Sequence, residues 1–184
     1  FLKNNANVFI EKGRDKTGDI LSLNNFLYCK EKYSSSMDFI TGDGGFDFSI
    51  DFNKQEISIS KLLFAQVIYA IVLQKKNGSF VLKLFDTLTS LTVKFIGILS
   101  SFYKRVYIHK PFMSRASNSE KYIVCEGFNG IEKNQIEWLI RLHADVHDNE
   151  EKKYYWNDLI PDWNLDVKYR ALFRTINKKI LIDQ

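Results

Sequence analysis

Arg105-Val106-Tyr107-Ile108-His109-Lys110-Pro111-Phe112-Met113-Ser114-Arg115-Ala116-Ser117-Asn118-Ser119-Glu120-Lys121-Tyr122-Ile123-Val124-Cys125-Glu126-Gly127 is the stretch that decides the fold. Its two ends, Arg105 to His109 and Lys121 to Gly127, are β-branched and aromatic runs of strand length. The first is closed by Pro111, and the polar loop of about a dozen residues between the two runs is too short for a crossover helix. The last two strands are therefore expected to be antiparallel.

Upstream of this pair, helical and strand periods alternate. Ser36-Met37-Asp38-Phe39-Ile40-Thr41 is a short apolar run stopped by Gly42, and it reads as a strand. From about Lys54 to Lys76, Ile57, Leu62, Leu63, Val67, Ile68, Ile71 and Val72 recur on mostly helical spacing. Asn77-Gly78 is expected to end that helix, with the glycine supplying a positive φ. Ser79 to Phe85 is a second strand. Asp86 or Thr87 is expected to cap a helix from about Leu88 to Lys104, with Leu88, Leu91, Phe95, Ile98, Leu99 and Phe102 on one face.

Strand, helix, strand, helix, strand and a returning strand make an α/β domain with a final antiparallel pair. Downstream, helices are expected around Gln135 to His143 and Val167 to Leu181, with the polar stretch His147 to Asn157 as a surface loop. Phe1 to Lys32 is turn-rich, and Lys16-Thr17-Gly18-Asp19-Ile20 is its sharpest feature. An acid after such a turn can accept hydrogen bonds from a nucleoside, although most such turns bind nothing.

The composition is that of a globular domain. In 184 residues, 45% are hydrophobic and 26% charged, which excludes a disordered chain. Cys29 and Cys125 stand far apart with no CxxC spacing, so neither a disulfide framework nor a zinc site is expected, and a reducing intracellular compartment suits the chain. The best apolar run, Leu62 to Leu73, is broken by Gln66 and is short for a membrane span, so no membrane partner is expected. The first residue is Phe1, and residues upstream are expected to belong to the same protein. The net charge of +4 is unevenly placed, with Lys104, Arg105, His109, Lys110 and Arg115 preceding Glu120. Such a patch can bind phosphates, and it is equally compatible with a solvated surface.

Three charged residues fall at corresponding ends of apolar runs. Asp43 lies between Gly42 and Gly44-Gly45, where glycines let the backbone approach a ligand. Lys83 is inside an otherwise apolar strand, where a lysine is rare unless paired or functional. Glu120 precedes the last strand. In open α/β sheets the ligand sits at the carboxyl ends of the strands, and an Asp, a Lys and a Glu gathered there suit moving a proton off a hydroxyl. No HExxH, GxSxG or P-loop competes with them, and His109, His143 and His147 stand in no catalytic pattern.

Several strings together resemble a known family, the FtsJ-like RNA 2′-O-methyltransferases, and within it the mRNA cap 2′-O-methyltransferases. They are Met37 to Phe46, Lys54-Gln55-Glu56, Val81 to Asp86, and above all Lys110 to Cys125, with Ala116 where the family usually has Pro. The similarity runs from about Lys16 to Gly127. It implies a Rossmann-like sheet with an antiparallel last strand, binding S-adenosylmethionine. The expected reaction is methyl transfer to the ribose 2′-hydroxyl of a cap-proximal nucleotide in capped mRNA.

The family's catalytic set is Lys-Asp-Lys-Glu. By position, the resemblance implies catalytic roles for Asp43, Lys83 and Glu120. It implies cofactor binding by Asp19, Ile20 and Asp43, and contacts to capped RNA from Asn53, Lys54, Gln55 and Asn118, which Arg115 of the basic patch would join. No metal is implied. The family's glycine-rich cofactor loop and first tetrad lysine lie upstream of the Gly18-Asp19-Ile20 segment, so the N-terminal strand and helix are expected outside this chain.

On that basis residues 1–130 form the C-terminal part of an FtsJ-like domain, and residues 131–184 a helical extension. Other capping enzymes or a polymerase are expected as partners, in the nucleus, the cytoplasm or a viral setting. The competing readings are an FtsJ-like enzyme for ribosomal or transfer RNA, and a non-catalytic RNA-binding subunit that keeps the fold.

Overall fold

A computed structural model of the chain describes residues 4–45, 59–114, 120–148, 171–176 and 178. In chain order its elements are α1 (Leu23–Tyr33), β1 (Met37–Gly42), α2 (Ser60–Leu73), β2 (Gln74–Leu84), α3 (Ser90–Phe102), β3 (Tyr103–His109), β4 (Lys121–Phe128) and α4 (Lys133–Asp148). Residues 171–176 are also helical.

The four strands form one sheet in the order β1-β2-β4-β3. β1 runs parallel to β2, and β4 is antiparallel to both of its neighbours. The expected antiparallel last pair is therefore present, and the returning strand inserts between β2 and β3. Its register sets Leu82 opposite Ile123 and Phe80 opposite Cys125. All four of these side chains are buried. This face of the sheet packs on α2 and α3, and Phe26 of α1 and Leu139 of α4 join the same core. Strand alternation sends Val81, Lys83, Tyr122 and Val124 to the other face, which is only partly covered among the described residues.

Two junctions differ from the sequence reading. The helix expected to run to Lys76 stops at Leu73, and the chain enters β2 at Gln74 with extended backbone. Gln74 is completely buried. Its side-chain amide donates to the carbonyls of Met37 (2.9 Å) and Asp38 (3.1 Å), and its oxygen accepts from the Tyr103 hydroxyl (3.1 Å). These bonds satisfy a polar side chain that would otherwise be costly to bury, so they favour the early turn into the strand.

Asn77-Gly78 thus lies within β2, in an irregularity where the register passes from Met37↔Gln74 to Phe39↔Ser79. Asn77, not Gly78, takes the positive φ, 66°. Gly78 is needed for space: a Cβ there would sit 2.3 Å from Nε2 of Gln74 and 2.8 Å from the carbonyl oxygens of Asp38 and Lys75.

The second correction concerns α3, which starts at Ser90 and is capped by neither Asp86 nor Thr87. Thr89 is its N-cap, accepting from the backbone N–H of Thr92 at 3.2 Å.

The turn-rich reading of Phe1 to Lys32 misses α1. Asn24, Asn25, Lys30, Glu31 and Lys32 interrupt its apolar positions, so apolar periodicity gives little sign of it. Ser22 caps it by accepting from Asn25 N, and Phe26 anchors it in the core. No described helix is long and apolar enough to cross a membrane.

Candidate active site

β1 ends at Gly42, and Asp43 follows at once. Gly42 lies so close to α2 and β2 that a Cβ there would meet Oε1 of Gln66 and Cδ1 of Leu82, each at 2.8 Å. From α2, Gln66 reaches this turn and accepts from the backbone N–H of Gly44 at 2.9 Å, while its amide donates to the Leu62 carbonyl at 3.2 Å. The sequence reading used Gln66 only as an interruption of an apolar run. A polar residue in a buried helix is itself a signal, because burial requires hydrogen-bond partners.

The parallel register Gly42↔Leu82 brings Asp43 beside Lys83. Lys83 Nζ lies 2.9 Å from Asp43 Oδ1, with the lysine side chain 24% exposed and the aspartate 66% exposed. The Lys83 ammonium also stands 5.8 Å from the centre of the Phe85 ring. Two of the three expected catalytic residues are thus in direct contact, on the sheet face turned away from the helices.

Glu120 is linked to this pair through Tyr122 on the adjacent strand. Tyr122 is directly opposite Lys83 in the β2–β4 ladder and opposite His109 in the β3–β4 ladder. Its hydroxyl donates a short hydrogen bond to Glu120 Oε1. That bond pushes the Tyr122 hydroxyl up to about 12, helped by burial and by the negative charges of Glu120 and Asp43. Lys110 Nζ donates to the Glu120 backbone carbonyl at 2.9 Å.

Lys121 points to the opposite, buried face. Its side chain is 5% exposed, with Nζ donating to the Phe85 carbonyl at 2.9 Å and lying 3.6 Å from Asp86 Oδ1. It therefore ties the start of β4 to the chain just beyond Lys83.

A cavity of about 590 Å³ opens beside Asp43. Asp19 and Ile20 line it on one side, and Thr41, Gly42 and Asp43 on another. The loop carrying Asp19 is held by a local polar network. Asn25 donates to Asp15 Oδ1 and to the Asp19 carbonyl, each at 2.9 Å, and the Thr17 hydroxyl accepts from Asp19 N at 3.1 Å. On its far side, the buried His143 ring stacks on Phe26 at 5.0 Å and lies 3.4 Å from the Ile20 carbonyl. His143 is thus built into this wall, a position visible only in the fold.

Asn53, Lys54, Gln55, Arg115 and Asn118 lie outside the described residues. Cys29 and Cys125 are buried free thiols. Burial pushes Cys125 up to about 12 and Cys29 upward as well, so neither is an activated nucleophile.

The sequence pattern described as FtsJ-like methyltransferase matches residues 2–128. The chain belongs to the FtsJ-like methyltransferase family. A Trypanosoma brucei brucei protein named cap-specific mRNA (nucleoside-2′-O-)-methyltransferase 1 is 35% identical over 139 residues, 72% of this chain and 36% of the relative. The protein of the same name from Leishmania braziliensis is 40% identical over 64% of this FtsJ-like chain and 30% of its own length. Cap-specific mRNA (nucleoside-2′-O-)-methyltransferase 1A of Caenorhabditis briggsae is 30% identical over 84% of this chain and 18% of its own length. The chain spans about a third or less of the relatives it matches.

Proposed function

We propose that this chain carries the methyl-transfer centre of a cap 2′-O-methyltransferase, which methylates the ribose 2′-hydroxyl of a cap-proximal nucleotide. The observation that carries this reading is the Asp43–Lys83 pair at the carboxyl ends of two adjacent parallel strands, beside a cavity of nucleoside dimensions. The names of the relatives supply the cap and the mRNA.

The cavity suits S-adenosylmethionine. Ile20 and Ile40 offer apolar surface for an adenine ring, and the exposed Asp19 carboxylate is an acceptor of the kind that ribose hydroxyls need. Gly42 and Gly44 keep side chains out of the turn beside Asp43. When bound, the cofactor supplies a methyl group already activated on a sulfonium, so the protein's part is alignment and proton transfer.

Lys83 Nζ is the atom that would receive the 2′-hydroxyl proton, directly or by relay, as the bound cofactor's methyl group passes to that oxygen. Asp43 orients the lysine nitrogen, and Glu120, one strand further along, completes the polar surround. The partly open sheet face leaves this group accessible to a polymer substrate. The basic stretch Lys104 to Lys110 lies on β3 and just beyond it, and Arg115 and Asn118 follow in the sequence. Asn53, Lys54 and Gln55 are the further positions we assign to capped RNA.

The test is methyl transfer from radiolabelled S-adenosylmethionine to one short RNA in capped and uncapped forms, with nuclease mapping of the label. Label on the ribose beside the cap, and only in capped RNA, is the expected result. Equal label on uncapped RNA would replace the cap reading with a general FtsJ-like RNA methyltransferase. No label despite measurable RNA binding would refute the enzyme.

A further inference from the structure

We propose that Tyr122 is a positioning residue of the methyl-transfer centre, acting through Glu120. This rests on the functional reading above and adds a fourth side chain to it.

Three observations support it. Tyr122 is the cross-strand neighbour of Lys83, so the two side chains emerge side by side on the same face of the sheet. Its hydroxyl donates to Glu120 Oε1. The negative charges of both Glu120 and Asp43 act on that hydroxyl, and Asp43 is the carboxylate paired with Lys83.

The geometry gives the hydroxyl a specific task. Glu120 lies just before β4. Lys110 holds its backbone carbonyl, and the Tyr122 hydroxyl holds its carboxylate. A hydrogen bond to an ionised acceptor is shorter and stronger than one between neutral groups. Tyr122 stands between Lys83 on β2 and His109 on β3 in the two ladders, so its hydroxyl is presented from a three-strand platform. A phenylalanine would keep that platform and remove only the donor, so the Glu120 carboxylate would lose this hydrogen bond.

A double-mutant cycle on methyl transfer by the wild-type protein tests this. Tyr122→Phe is expected to slow single-turnover transfer about tenfold, while cofactor affinity and the KM for capped RNA stay within about twofold. In a Glu120→Ala background the same change is expected to alter the remaining rate by less than about twofold.

Independent evidence comes from NMR of ring-labelled tyrosine. Tyr122 should stay un-ionised at alkaline pH where it already titrates in Glu120→Gln, because an anionic acceptor favours the protonated phenol. An unchanged rate in Tyr122→Phe overturns the proposal, as does a full tenfold loss persisting without Glu120. So does a loss confined to RNA or cofactor binding, or a Tyr122 titration indifferent to Glu120. Wild-type protein that transfers no methyl group overturns the functional reading and this proposal with it, whereas each result above, obtained with an active wild type, overturns this proposal alone.

Discussion

Replacing Lys83 with methionine separates the chemistry of this site from its stability. The substitution keeps most of the apolar stem that lies in β2 and removes the amine. Asp43 loses its 2.9 Å partner, but it is 66% exposed and water replaces the lost contact. Exposed pairs contribute about 0–1 kcal/mol, so Lys83→Met should destabilise the fold by no more than roughly 1 kcal/mol. A domain with about 5 kcal/mol of stability would then still be more than about 99% folded.

Loss of a positioned base costs about a hundredfold to ten-thousandfold in rate. That corresponds to roughly 2.7–5.5 kcal/mol of barrier. Activity and stability should therefore part company by at least about 1.7 kcal/mol, the gap between the smallest expected barrier effect and the largest expected stability effect. Single-turnover methyl transfer to capped RNA, urea unfolding and cofactor binding on the same preparations would measure all three quantities. A rate within about tenfold of wild type, roughly 1.4 kcal/mol, would refute the assignment of Lys83 as base. So would a rate loss matched by an equal loss of stability.

Two further predictions concern the frame. Gly78→Ala should destabilise the protein by about 1–3 kcal/mol, because its Cβ meets two backbone oxygens that cannot move aside cheaply; a urea midpoint equal to wild type would show that the β2 irregularity relaxes. Glu11 is pulled from its ordinary 4.5 down to about 2, first by the hydrogen bond from the Tyr33 hydroxyl and then by that from Lys32. Its stabilising share is complete above about pH 4.5, where the carboxylate is ionised in folded and unfolded chains alike, and is lost as pH falls toward about 2. The melting-temperature gap between wild type and Glu11→Gln should therefore hold from neutral pH to about 4.5 and narrow below it. A gap independent of pH would mean that the carboxylate's charge contributes nothing there.

Strands were the most legible part of this chain, because β-branched and aromatic runs bounded by turn residues leave few alternatives. Lys83 was legible for a related reason: a charge inside such a run calls for a partner. Element boundaries were less so. Val72-Leu73-Gln74-Lys75-Lys76 continues a helical pattern locally, and only the carbonyls of Met37 and Asp38 and the hydroxyl of Tyr103 make Gln74 a strand residue. Helix α1 escaped notice because its buried apolar positions, Phe26 and Cys29, stand in a segment otherwise rich in turn formers. Gln66, Lys121 and Tyr122 were missed for one shared reason. Each acts on a group in space, and nothing in its sequence neighbours shows what it will touch.

By itself, the sequence determined the α/β class, the antiparallel return of the last strand and the residue types available for proton transfer. These follow from periodicity, loop length and the cost of burying charge, all of which operate locally along the chain. The tertiary structure decided the insertion of β4 between β2 and β3, and with it the alignment of Tyr122 with Lys83. It also decided the contact of Asp43 with Lys83 and the anchoring of the Ile20 carbonyl by His143, 123 positions away. Such pairings depend on strand register and on packing between distant segments, and both are settled only when the whole core closes.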